Sequence, residues 1–151
     1  MQQPVKPVPD GYHTVTPYLI VEGAARLIAF AEHAFGATTV VRMQRPDGTL
    51  GHSEVQIGDA RVMLAEATAQ WPPMPGALFL YVEDVDAVYR RALEAGARSV
   101  MAPADTYHGD RMGGVFDPCG NQWWIATQIE ALTPAELARR EAEHWKEAPA
   151  R

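Results

Sequence analysis

A single cysteine, Cys119, stands among the 151 residues, so no internal disulfide can form. That usage fits a reducing, cytoplasmic setting and leaves stability to the apolar core. Long apolar runs are missing too. The longest, Ala77–Val82, has six residues, against the roughly 20 that a membrane helix needs. Lys and Arg form no stripe or amphipathic face, and the formal net charge is −6 with both signs scattered. Nucleic-acid and membrane-surface partners are therefore not expected. Met1–Asp10 holds three prolines and one lysine around no apolar centre, and reads as an extended lead-in rather than a secretory signal.

What is present is a 47% hydrophobic chain long enough to bury a real core. We read residues 1–151 as one domain containing a repeat. Shifting Thr14–Ala67 forward by 61 positions lays it on Pro75–Gln128. Val21-Glu22 then falls on Val82-Glu83, and the turn Gly58-Asp59 falls on Cys119-Gly120. The implied organisation is a first module at 14–67, a Pro-rich linker at 68–76 and a second module at 77–128, followed by a helix at 133–147. Neither module can bury a core alone, which predicts paired half-domains around one cavity.

Each module reads β-α-β-β-β, making the fold class α+β. In the first, Thr14–Val21 is β-rich with Pro17 marking an edge. Gly23–Phe35 is helical by the spacing of Leu27, Ile28, Phe30, Ala31 and Ala34. Thr38–Gln44 is a strand, and Gly51–Ile57 pairs with Ala60–Glu66 across Gly58-Asp59. In the second, Ala77–Val82 is a strand, Asp84–Ala95 a helix and Arg98–Met101 a short strand. Asp110–Asp117 then pairs with Gln122–Thr127. Thr133-Pro134-Ala135-Glu136 opens the C-terminal helix as a capping box.

Strand alternation assigns faces. Leu19, Val21, Val55, Ile57, Val62 and Leu64 suit the helix side of the first sheet. His52, Glu54, Gln56, Arg61, Met63 and Ala65 fall on the opposite, concave side. In the second module Ala77, Phe79, Tyr81, Met112, Phe116, Gln122, Trp124 and Ala126 fall there. Trp123 becomes a core residue and Trp124 a pocket residue. A face so rich in rings and sulfur, with few polar groups, describes a small-molecule pocket.

The paired modules, the strand-Val-Glu-Asp-Val-Asp-helix junction at 82–86 and the Asp-Pro-x-Gly-Asn turn at 117–121 together resemble the vicinal oxygen chelate superfamily. This is the glyoxalase, bleomycin-resistance and extradiol-dioxygenase group. The stretch Tyr107–Trp123 is similar to its PhnB-like branch. The resemblance covers roughly Thr14–Gln128 and implies curved sheets enclosing a cavity, commonly in a homodimer. It also implies metal ligands on the first and last strands of each module, at Thr16, Met63, Ala77 and Trp124. None of these is His, Glu or Gln, so no metal, cofactor or catalytic residue is assigned.

The function expected is metal-free binding of a hydrophobic or aromatic small molecule in the inter-module cavity. Its lining would be Thr16, Tyr18, Met63, Phe79, Tyr81, Phe116 and Trp124, with His52, Glu54 and Arg111 setting orientation. The rival is a metal-dependent lyase, isomerase or dioxygenase with ligands relocated to His52 and Glu54. A third reading is a dimeric accessory subunit with a vestigial cavity. Cys119 reads as a passive turn residue, and Asp110 with Arg111 as an ion pair or strand-end charges. Trp71 is either a lid or a linker anchor.

Overall fold

The computed structural model describes residues 2–147. The first module comprises β1 (Tyr18–Val21), α1 (Ala24–Phe35), β2 (Thr38–Gln44), β3 (Leu50–Ile57) and β4 (Ala60–Glu66). The second comprises β5 (Ala77–Tyr81), α2 (Val85–Glu94), β6 (Arg98–Asp105), β7 (Asp110–Phe116) and β8 (Gln122–Gln128), and α3 (Pro134–Glu147) follows. Both sheets have the same topology, β1-β4-β3-β2 and β5-β8-β7-β6. The first strand of each lies parallel to the last, and the other pairings are antiparallel.

The repeat is thus real in three dimensions, with one refinement. Tyr18 pairs with Met63 as Phe79 pairs with Trp124, each 61 positions on. Glu54 opposes Met63 whereas Gly114 opposes Trp124, an offset of 60. The Asp117–Asn121 turn is one residue longer than its counterpart, and it absorbs the difference.

Three of the boundary differences from the sequence reading bear on the packing. β1 begins at Tyr18 rather than Thr14, its pairing opened by the Met63 amide donating to the Pro17 carbonyl at 2.9 Å. β3 gains Leu50, which joins the core. β6 does not stop at Met101 but runs through Pro103 to Asp105, with a register shift between Met101 and Ala104. Proline is tolerated there because β6 is an edge strand whose outer amides need no partner.

α1 starts on Gly23, whose φ of 94° suits glycine and which has no side chain to cap the helix. The cap comes from β4: the Glu66 carboxylate accepts from the Gly23 and Ala24 amides at 3.0 and 2.7 Å. α2 caps itself, with Asp84 accepting from the Ala87 amide at 3.1 Å.

One core unites the modules. It takes Leu27, Ile28 and Phe30 from α1, Val55, Val62 and Leu64 from the first sheet, and Val115, Trp123 and Ile125 from the second. α1 packs on α2. Trp123 lies with its ring 4.8 Å from that of Phe35 and its Nε1 donating to Asp117 at 2.8 Å. The modules therefore meet through their helix sides, and both concave faces point away from the core.

Candidate ligand-binding faces

The first concave face is polar. Glu54 on β3 is only 5% exposed. Its oxygens accept from the Tyr12 hydroxyl and lie 2.7 Å from His52 Nε2, with an Arg61 nitrogen 4.0 Å away. Burial pushes the Glu54 carboxyl up, but the Tyr12 and His52 hydrogen bonds and the Arg61 charge together hold it below its ordinary value. The same bond to Glu54 drives the Tyr12 phenol above its ordinary value. Tyr12 belongs to the lead-in, which lies across this face with the Arg61 guanidinium 4.9 Å above the phenol ring. A pocket of about 430 Å³ sits beneath it, lined by Pro7, Pro9, Tyr12, His13, Thr16 and Met63. Tyr18 completes the face, its ring 6.2 Å from that of His52.

The second face is aromatic. Phe79 and Tyr81 lie with ring centroids 5.1 Å apart, and Trp124 opposes Phe79 on the neighbouring strand. Phe116 carries the Arg98 guanidinium over its ring at 5.1 Å. Asp110, also 5% exposed, accepts from the Tyr81 hydroxyl at 3.0 Å and lies 3.5 Å from His108 Nδ1. The bond to Asp110 raises the Tyr81 phenol above its ordinary value.

Of the residues expected to bind ligand, Thr16, Tyr18, His52, Glu54 and Met63 gather at the first face. Phe79, Tyr81, Phe116 and Trp124 gather at the second. Arg111 does not join them, and its assignment is corrected. It lies next to Asp110 on β7, so alternation turns it to the helix side. There Asp86 holds it through bonds of 2.8 and 2.9 Å, and Asp105 through one of 3.1 Å. Those carboxylates raise its pKa still further and hold its guanidinium on the helix side, away from the concave face. Trp71, 64% exposed, is tied to Thr68 within the linker turn.

Among the described residues the two concave sheets do not face each other across a cavity. The space between the modules is instead a groove of about 820 Å³ on the helix side, lined by Phe35, Ile57, Val62, Leu78, Leu80 and Trp123 among others. Three contributors escaped the sequence reading. Tyr12 sits in a lead-in with no periodicity. Asp110 shares strand parity with Met112, which points it to the concave face. Gly114 is one of two glycines inside β7, a mark of close approach by another group.

The superfamily's metal chemistry does not fit these residues. At the expected ligand positions, Thr16 gives its hydroxyl to the His13 carbonyl at 3.3 Å, Ala77 offers no donor, and Met63 and Trp124 offer only a thioether and an N–H. His52 and Glu54 bond to each other, and a divalent site needs about three or four donors. Among the described residues no group of three or more His, Cys, Asp or Glu side chains is placed to hold a metal ion. No helix there is long and apolar enough to cross a membrane.

Comparison with known proteins agrees with this architecture. The family model described as Glyoxalase/Bleomycin resistance protein/Dioxygenase superfamily matches residues 12–125. An uncharacterized protein of Mycobacterium tuberculosis is 35% identical over 134 residues, covering 82% of this chain and 79% of its own. Among solved structures, an antibiotic binding protein from Streptomyces sp. CB03234, TnmS3, matches with a TM-score of 0.62 at 23% identity, covering 77% of this chain and 95% of its own. A PhnB protein from Bacillus cereus, described as a putative 3-demethylubiquinone-9 3-methyltransferase, matches with a TM-score of 0.63 at 17% identity, covering 76% and 99%. At those identities the solved structures speak for the fold alone. With paired β-α-β-β-β modules on the page and a family match across most of its length, the chain belongs to the glyoxalase/bleomycin resistance protein/dioxygenase superfamily.

Proposed function

We propose that this protein binds a hydrophobic, aromatic small molecule without a metal. The binding site is a homodimer cavity in which the first face of one chain meets the second face of its partner. One observation carries the reading: large apolar rings are left open on faces where, among the described residues, no three metal donors come together. Tyr18, Phe79 and Tyr81 are 54%, 47% and 67% exposed on the concave sides. A lone chain would leave these rings in water, whereas an isologous pairing covers both faces at once. The TnmS3 structure, named as an antibiotic binding protein, supports a binding role on this fold.

The rival enzymatic reading rests on the His52–Glu54 pair. The two readings separate on protein dialysed without added metal. Elemental analysis should find no stoichiometric zinc, nickel, iron or manganese, while aromatic compounds quench tryptophan fluorescence and raise the melting temperature. About one equivalent of metal, lost in a His52→Ala variant, would overturn the proposal in favour of the enzyme. A protein that binds neither metal nor any aromatic compound would leave the accessory-subunit reading.

A further inference from the structure

We propose that Tyr12 is an internal stand-in for part of the ligand: its phenol fills a hydroxyl-recognising subsite on the first face, and a phenolic group of the guest takes that place when the lead-in is displaced. This rests on the ligand-binding reading above. It adds a chemical class for one end of the guest and a latch that the guest must open.

The lead-in is open to solvent along its length and held at one point. Residues 2–11 are all exposed, whereas Tyr12 is half-buried. Among the described residues, a single hydrogen bond joins residues 2–15 to the sheets, from the Tyr12 hydroxyl to the Glu54 carboxylate. Its other bonds are internal, from Lys6 to Asp10 at 2.8 Å and from the Tyr12 amide to the Pro9 carbonyl at 3.2 Å. Gly11, at a φ of 86°, brings the backbone against Arg61, where a Cβ would stand 3.1 Å from a guanidinium nitrogen. That approach slides the phenol ring beneath the cation. One hydrogen bond and one ring contact are set against the entropy of ordering residues 2–11, which leaves little net hold. Such an anchor yields to a better-held group.

The receiving groups, by contrast, belong to the sheet and stay when Tyr12 leaves. Arg61 lies opposite Gln56 across β3 and β4 and donates its Nε–H to the Gln56 side chain. Glu54 keeps His52 Nε2 at 2.7 Å. The buried carboxylate then lacks only an O–H donor, which a guest hydroxyl restores. The second face supplies the comparison. There Asp110 accepts from the Tyr81 hydroxyl at 3.0 Å, and Tyr81 is part of β5. One buried carboxylate is thus served by a phenol fixed in the sheet, the other by a phenol on a segment outside it. Only the second arrangement can be exchanged without breaking a strand. The pocket of about 430 Å³ beside Thr16 and Met63 gives the incoming ring its room. The guest is therefore one that ends in a phenol, donating to Glu54 and lying under Arg61.

The test uses p-cresol, the tyrosine side chain as a free molecule, and 4-fluorotoluene, which has a similar shape and no hydroxyl. Tyr12→Ala should bind p-cresol about tenfold more tightly than wild type does, because no latch competes. The same variant should prefer p-cresol over 4-fluorotoluene by about tenfold, the hydroxyl being what Glu54 recognises. In amide NMR spectra of the wild type, rising p-cresol should carry the Gly11 and Tyr12 signals to the positions of an unstructured peptide, while 4-fluorotoluene leaves them in place. Those spectra decide the matter alone should Tyr12→Ala fail to fold. Three results would each overturn the latch: equal p-cresol affinity in wild type and folded Tyr12→Ala, equal binding of the two probes by the variant, or Gly11 and Tyr12 signals that p-cresol does not move. The ligand-binding reading would then stand on its own quenching and melting tests. Failure of those tests with every aromatic compound would overturn both.

Discussion

Trp123 and Trp124 are chemically identical neighbours with opposite fates. Trp123, 1% exposed, fills the shared core and is bonded to Asp117, so Trp123→Ala should cost roughly 3–5 kcal/mol in urea melts. Trp124→Ala should cost clearly less and instead abolish ligand quenching. The reverse ranking would show the strand register to be wrong. This contrast was legible in the sequence because alternation between flanking apolar positions fixes parity. Arg111 was misplaced although its parity is opposite to that of Met112 and Phe116, both read as concave, which already turns Asp110 to that face and Arg111 away from it. It is held there by Asp86, 25 residues away on α2. Glu54 offers a second test at this scale. Its folded-state pKa is depressed, so its contribution to stability is present above the unfolded carboxyl value of about 4.5 and is lost as the pH falls through the folded value. The melting-temperature gap between wild type and Glu54→Gln should therefore narrow on acidification below pH 4.5. A gap constant down to pH 3 would argue against the Tyr12–Glu54–His52 network.

Elements differ in how locally they are specified. α2 carries its own cap in Asp84, and its start was readable from the sequence. α1 borrows its cap from Glu66, 43 residues away, which no local pattern could reveal. Glu66→Ala should destabilise the protein by about 1–2 kcal/mol, measurable by chemical denaturation. A loss near zero would mean that solvent caps Gly23 equally well. α3 is the opposite case. None of its residues is buried, and it is fastened by Arg140 to Glu130 at 2.9 Å and by His144 stacked on Tyr107 at 4.3 Å. Ending the chain after Leu132 should change stability by no more than about 1 kcal/mol, since exposed ion pairs contribute little. A larger loss would mean that α3 packs on something outside the single chain, such as a second copy.

For the whole molecule, the decisive fact is that the modules are joined back to back. The sequence disclosed that there were two modules and which residues faced outward from each. It could not disclose which way the modules turn toward each other, because both arrangements bury the same alternating residues. Light scattering at about 20 μM should give twice the chain mass under the proposed pairing. A monomer unchanged on dilution would remove the dimer cavity and, with it, the proposed site.

The outward-facing concave sheets also make any such cavity a composite of unlike halves, one polar and supplied by the first module, the other aromatic and supplied by the second. Two disabled proteins could then restore each other. A chain spoiled at Tyr18 and a chain spoiled at Trp124 would each be inactive alone. After unfolding together and reassociating at random, roughly a quarter of all cavities would inherit two intact halves. Recovery of that fraction of binding, from a mixture in which neither parent binds, is a form of complementation that a site contained within one chain could never show.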